Sequence, residues 1–135
     1  MKTATTQKML WSRTQLLDLY LSGNLAAHSA YCDHFYGSTG ASLSAEAETL
    51  DNILEELGID SVDFVKMDIE GAEIEAFRGM KKTLKSGVQL AVAAYHPVGG
   101  TLTHTALVSQ LKELGFRAVY EEGIIRAQKT VASRQ

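Results

Sequence analysis

The chain of 135 residues has one proline and one cysteine, Cys32. A lone cysteine forms no intrachain disulfide and no cysteine metal cluster, so the expected compartment is a reducing one, the cytoplasm. So little proline argues against long disordered linkers. No continuous apolar stretch follows Lys2 and Lys8, which excludes a conventional secretion signal, and no run approaches the length of a transmembrane segment. Charge is not in excess either. A net charge of −3 and a pI near 5.8 leave no electrostatic footprint for nucleic acid or anionic membrane. Glycine-rich turns are missing from the early part of the chain, where none of Gly23, Gly37 and Gly40 follows a buried apolar strand in a G-x-G arrangement.

Against these absences, 45% hydrophobic content supports one domain with a single core. Leu17, Leu19 and Leu21 alternate with Asp18 and Tyr20 as in a half-buried strand, closed by Ser22-Gly23-Asn24. Residues 26–44 have weak periodicity and read as a long loop or irregular hairpin. Leu43, Ala45 and Ala47 then alternate with Ser44, Glu46 and Glu48, an edge strand with charges on its outer side. Thr49 caps a predicted helix whose Leu50, Ile53, Leu54 and Leu57 share a face, and Gly58 stops it.

The most informative stretch is Val62 to Glu73. Val62, Phe64, Val65, Met67 and Ile69 leave neither face consistently polar, the pattern of a central parallel strand covered on both sides. Asp68 and Glu70 fall at its carboxyl end and Gly71 turns the chain. Ile74, Phe77, Met80 and Leu84 then recur at helical spacing over 72–85. In that helix Arg78, Lys81, Lys82 and Lys85 sit opposite Glu73 and Glu75 of the first turn, so dipole complementation accounts for the basic cluster. A second buried strand runs from Val88 to Tyr95. Thr103 or Thr105 caps a helix with Leu107, Val108, Leu111 and Leu114 inward, and 116–120 and 124–128 form a terminal hairpin. Alternating elements of this kind build a mainly parallel α/β sheet with helices on its faces and an antiparallel hairpin at the end.

Asp63-Phe64-Val65-Lys66-Met67-Asp68-Ile69-Glu70-Gly71-Ala72-Glu73, preceded by Thr49-Leu50-Asp51 and followed by Gly79, resembles the FkbM family of S-adenosylmethionine-dependent methyltransferases. The resemblance runs with decreasing clarity from about Leu19 to about Lys129. It implies a partial Rossmann-like methyltransferase sheet and methyl transfer from S-adenosylmethionine to a hydroxyl of a sugar, glycolipid or polyketide. The glycine turn and acidic strand end that hold the cofactor in such enzymes have no counterpart here, so no cofactor-binding residue is assigned. The chain reads as the carboxyl-terminal half of such an enzyme at 16–130, with a poorly defined extension at 1–15 and a tail at 131–135.

Chemistry is expected where strand ends converge. His96, ending the second strand, is the first candidate for the base that takes the acceptor's proton; the other reading is a surface histidine fixed before Pro97. Asp68 and Glu70 are the other catalytic candidates, since an acid ending a buried strand is costly unless paired. Lys66, Glu73 and His28 are assigned to substrate, with an Lys66–Asp68 pair as the structural alternative. His28-Ser29 resembles a His-Ser pair often seen in the corresponding family hairpin, which would approach the cofactor or acceptor; an exposed turn histidine is the other reading of His28. Carboxylates here would suit magnesium or calcium, but acids in a helix's first turn are favourable without a ligand, so no metal is assigned. Many family members carry a glutamate two residues before the histidine, where this chain has Ala94, and no role for that acid carries over.

Two function classes stay open. In one, the chain is part of a methyltransferase acting on a small-molecule or glycan acceptor. In the other, it is a non-catalytic α/β module whose exposed sheet edge is covered by self-association or by a complementary amino-terminal chain. A phosphoacceptor role for Asp68 fits less well, because neither an acidic pair on the first strand nor a lysine on the last is evident.

Overall fold

The computed structural model describes residues 1–22, 28–31 and 38–129. A short β1 (Met9–Leu10) is followed by β2 (Gln15–Ser22) and β3 (Ser38–Glu48), which form a small sheet in the order β1-β3-β2. β2 and β3 are antiparallel with Leu19 opposite Leu43, and β1 lies parallel to the far end of β3. Leu17 and Leu19 are half-buried and Leu16 and Asp18 exposed, as the alternation predicts. The expected loop over 26–44 is partly strand, since β3 begins at residue 38; residues 26, 27 and 32–37 lie outside the described ones. β3 is the middle strand of its sheet rather than an edge. Its last carboxylate is also turned inward. Glu48 is buried, accepting hydrogen bonds from the Thr49 and Asn52 amides and from Thr14 Oγ1, and these bonds hold its carboxyl below the usual range.

Helix α1 (Leu50–Glu56) follows, with Asn52 N–H donating to Thr49 Oγ1 at 3.1 Å as the cap. The remaining elements are β4 (Phe64–Met67), α2 (Glu73–Arg78), α3 (Lys81–Lys85), β5 (Gln89–Ala93), the paired two-residue strands β6 (Pro97–Val98) and β7 (Thr101–Leu102), α4 (His104–Glu113), β8 (Phe116–Glu121) and β9 (Ile124–Lys129). The main sheet has the order β4-β5-β9-β8. Only β4 and β5 are parallel; β5–β9 and β9–β8 are antiparallel. The expectation of a mainly parallel sheet is therefore corrected to a mixed, mostly antiparallel one. The cause is the terminal hairpin: Glu122 and Gly123 both take positive φ, giving a tight two-residue turn that folds β9 back between β5 and β8.

β4 is likewise not central. It is the edge of the described sheet, with Phe64 56% exposed. The core gathers on one face, where Met67, Leu90, Val92, Ile125 and Ala127 meet Phe77, Met80, Leu84, Leu107 and Leu111 from the helices. The opposite face presents Phe64, Arg117, Val119 and Arg126 to solvent. The helices of the described residues therefore cover one face, not both. Alternation along β4 carries this: Val65 and Met67 point inward, while Phe64 and Lys66 share the open side.

The helix predicted over 72–85 is broken into α2 and α3. A Cβ on Gly79 would lie 2.2 Å from the Trp11 carbonyl oxygen and 3.0 Å from Thr49 Cβ, so the chain pinches there against β1's continuation and the cap of α1. Asp51 restarts the helix by accepting from Lys82 N (2.8 Å), Thr83 N (3.0 Å) and Thr83 Oγ1 (2.7 Å). Lys81 consequently opens α3 rather than closing a longer helix, and the dipole explanation holds for Lys82 and Lys85 in the last turn of α3 and for Arg78, which pairs with Glu75. Thr49, Asp51 and Gly79 are thus scaffold residues. They lock α1, α3 and the start of the chain beneath the site.

Candidate functional site

The site begins where β4 ends. Glu70 and Gly71 have φ of 53° and 99°, two consecutive residues in the left-handed region. A glutamate there carries strain that its surroundings must hold. Two contacts hold it. Ser29 Oγ donates to the Glu70 carbonyl at 2.9 Å, and Ile69 N–H donates to Glu73 Oε1 at 3.1 Å. Ser29 is itself fixed by reciprocal backbone bonds with Tyr20 of β2. Gly71 is closely packed, since a Cβ on it would lie 3.1 Å from Val98 Cγ2 and 3.6 Å from Tyr31 Cδ2.

His96, three residues past β5, comes to this turn from the neighbouring strand. It is 5% exposed, so the surface-histidine reading does not describe it. Its Nε2 lies 3.1 Å from Glu70 Oε2 and its Nδ1 3.7 Å from Glu73 Oε1, which brackets the imidazole between two carboxylates. Glu73 is fully buried at the start of α2. Burial pushes its carboxyl above the ordinary value against the lowering effect of its backbone hydrogen bonds and of His96. Asp68, exposed, brings a carboxylate oxygen within 4.8 Å of both Glu73 and His96. Among the described residues Glu73 Oε2 and His96 Nδ1 are buried without a hydrogen-bond partner.

Asp68 and Glu70 also line a cleft of ≈ 470 Å³ whose other walls include Lys8, Leu10, Leu19 and His28. It opens between the small sheet and the carboxyl end of β4. The structure thus brings together four of the six residues singled out in the sequence, Asp68, Glu70, Glu73 and His96, with His28 across the cleft. His28 is half-buried and its Nδ1 accepts from Ser22 N–H at 3.0 Å. Lys66 stands apart, exposed on the open face of β4 and outside the cleft; no Lys66–Asp68 ion pair forms. Ser29, paired with His28 in the sequence, carries the turn-fixing bond. One residue beside the site, Tyr31, escapes sequence reasoning. Its ring is tilted by 48° to that of Trp11 at 5.9 Å, its phenol is pushed up by burial and by Glu75 and Glu73, and nothing in its Ser- and Gly-rich surroundings marks it.

The sequence model of the methyltransferase FkbM domain matches residues 5–118 of the chain. Comparison with curated proteins and with solved structures gives no match. Members of such a family take their methyl group from S-adenosylmethionine, and the described residues do not fit that cofactor. Ahead of β4 they form the separate β1-β3-β2 sheet, with no glycine-rich turn between a parallel strand and a helix. Among the described residues β4 has no neighbour on its outer edge, where such a strand would lie. No helix of the described residues is long and apolar enough to cross a membrane.

Proposed function

The chain belongs to the FkbM methyltransferase family, and from that premise we propose that it builds the acceptor side of an O-methylation, receiving a hydroxyl of a sugar, glycolipid or polyketide. The observation that carries this reading is the Glu70–His96–Glu73 bracket, which reaches the cleft through Glu70 beside Asp68. Methyl transfer to a hydroxyl needs the oxygen oriented and its proton removed. Asp68, exposed in the cleft, is placed to accept a hydrogen bond from an acceptor hydroxyl. Glu70 faces the same cleft while His96 is nearly closed to solvent, so the proton meets Glu70 first and is shared with His96 across the 3.1 Å contact. The base is therefore the pair, with Glu70 as its accessible member. Apolar Leu10 and Leu19 on the opposite wall suit the carbon face of a sugar ring or a polyketide. S-adenosylmethionine would supply an electrophilic methyl group; its holder lies outside the described residues.

Acceptor binding can be measured without the donor, by saturation-transfer NMR on the folded chain with a panel of neutral sugars, glycolipid headgroups and hydroxylated polyketides. At least one ligand should give a saturable signal that Asp68→Ala abolishes. A panel with no Asp68-dependent ligand would sink the reading.

One observation favours a second reading, a module that acts through association. Phe64 and Val119, 56% and 50% exposed, share the helix-free face, Phe64 on β4 and Val119 on β8 at the two edges of the described sheet. A dimer in light scattering that Phe64→Asp dissociates would support it, and a monomer would remove it.

A further inference from the structure

The sequence assigns no metal to the acidic turn, on the ground that first-turn acids are favourable by themselves. The structure removes that ground for Glu73, because its side chain is fully buried rather than solvated. One of its oxygens holds the Ile69 amide. The other, Oε2, has no hydrogen-bond partner, and neither has the buried His96 Nδ1, which lies 3.7 Å from the Oε1 of the same carboxylate. A buried carboxylate oxygen and a buried imidazole nitrogen left open are costly, and a ligand that bonds to both removes the cost. Asp68 completes the set from the cleft side, with one ligand atom from each of the three residues within 4.8 Å of the others.

We infer that Asp68, Glu73 and His96 Nδ1 form a divalent-cation site at the carboxyl ends of β4 and β5. Two carboxylates and one imidazole suit a six-coordinate ion of the manganese or magnesium kind, and the nitrogen ligand favours manganese. Bonds of roughly 2.1 Å place the ligand atoms of such an ion roughly 3.0–4.2 Å apart, so the triad must close slightly. Asp68, exposed at the end of its strand, is the member free to move. The other imidazole nitrogen, Nε2, is already engaged by Glu70, the carboxylate-to-imidazole contact that orients a metal-bound histidine. Remaining positions on the ion face the cleft and take water or an acceptor hydroxyl.

Cation binding stands on this geometry alone; its chemical use rests on the acceptor-side reading. A hydroxyl bound to a divalent cation releases its proton more readily, and Glu70 is placed to receive it. With the ion on Nδ1, His96 carries its proton on Nε2 and donates it to Glu70 as a hydrogen bond, so Glu70 alone, in place of the pair, takes the acceptor's proton.

The test is a manganese titration of the full chain, followed by the loss of the free Mn²⁺ electron paramagnetic resonance signal on adding MnCl₂. Wild-type protein should take up one Mn²⁺ saturably, and Asp68→Asn and His96→Gln should each weaken uptake by roughly tenfold or more. Glu122→Gln, in the distant hairpin turn, should leave it unchanged. Asp68 is exposed, so its variant is expected to stay folded where Glu73→Gln, which disturbs a buried group, is not; circular dichroism checks this. Absence of saturable uptake, or uptake by folded Asp68→Asn equal to wild type, overturns the site. Repeating the acceptor NMR with EDTA separates the two ideas: Asp68-dependent acceptor binding without uptake of Mn²⁺ leaves the acceptor reading standing and removes only the cation.

Discussion

One face of the four-stranded sheet buries Leu90, Val92 and Ile125 against Phe77, Leu107 and Leu111, all at 2% exposure or less, while the other leaves Phe64, Arg117, Val119 and Arg126 in solvent. The strands are the same; only the parity of the residue differs. What the contrast teaches is where the site gets its rigidity. Glu73 begins α2 and His96 follows Ala94, both continuing the packed side, so the cluster is held by the core and owes nothing to the open face. The strained Glu70 turn is locked from above by Ser29 and from below by Glu73.

Truncation tests the contrast most strongly. Phe77→Ala should cost about 3–5 kcal/mol in urea unfolding, whereas Phe64→Ala should stay within about 1 kcal/mol. A loss at Phe64 comparable to that at Phe77 would break the comparison and mean that the open face is buried in solution. Next in size, Gly79→Ala forces a methyl group toward the Trp11 carbonyl and should cost about 1–3 kcal/mol. Thermal melts of Gly87→Ala, in open space and at positive φ where Gly79 has a φ of −95°, provide the control that separates crowding from backbone strain. Smaller again, Asp51→Ala, which uncaps α3, should cost roughly 0.5–2 kcal/mol, and Thr49→Ala about as much at α1. Unchanged stability in both would deny these motif residues their scaffold role.

The smallest effects are pH-dependent, and two buried acids give opposite signs. Glu73 has a raised folded value, so its contribution to stability is full below the ordinary carboxylate range and is lost as pH rises through the raised value. Glu48 has a lowered one, so its contribution is present above the ordinary range and is lost as pH falls through the lowered value. Urea unfolding across mildly acidic to neutral pH should therefore show Glu73→Gln gaining on wild type as pH rises. Glu48→Gln should lose its deficit as pH falls. Parallel profiles for the two variants would contradict the assigned environments.

Much of the architecture is legible from the residues. Thr49 as a cap, Gly58 and Gly115 as stops, the terminal hairpin and the buried run around Val92 follow from spacing and turn chemistry. Three features do not. An apolar Phe64 reads as buried because a linear pattern carries no record of which face the helices occupy. The break at Gly79 depends on Trp11, 68 positions away in sequence, pressing on the backbone. The antiparallel entry of β9 between β5 and β8 is a matter of strand order, which periodicity does not encode. At the site, the acids and His96 are visible as strand ends, and Ser29 as the partner of His28, whereas the side chain-to-backbone bond by which Ser29 holds the Glu70 turn joins segments 41 positions apart and has no local pattern.

On the proposed reading the chain supplies an acceptor side and, in its described residues, no seat for the methyl donor. Calorimetric titration of the folded chain with S-adenosylmethionine measures that most directly. No saturable heat is expected; micromolar binding at one site per chain would contradict the reading and place the donor's seat within this polypeptide.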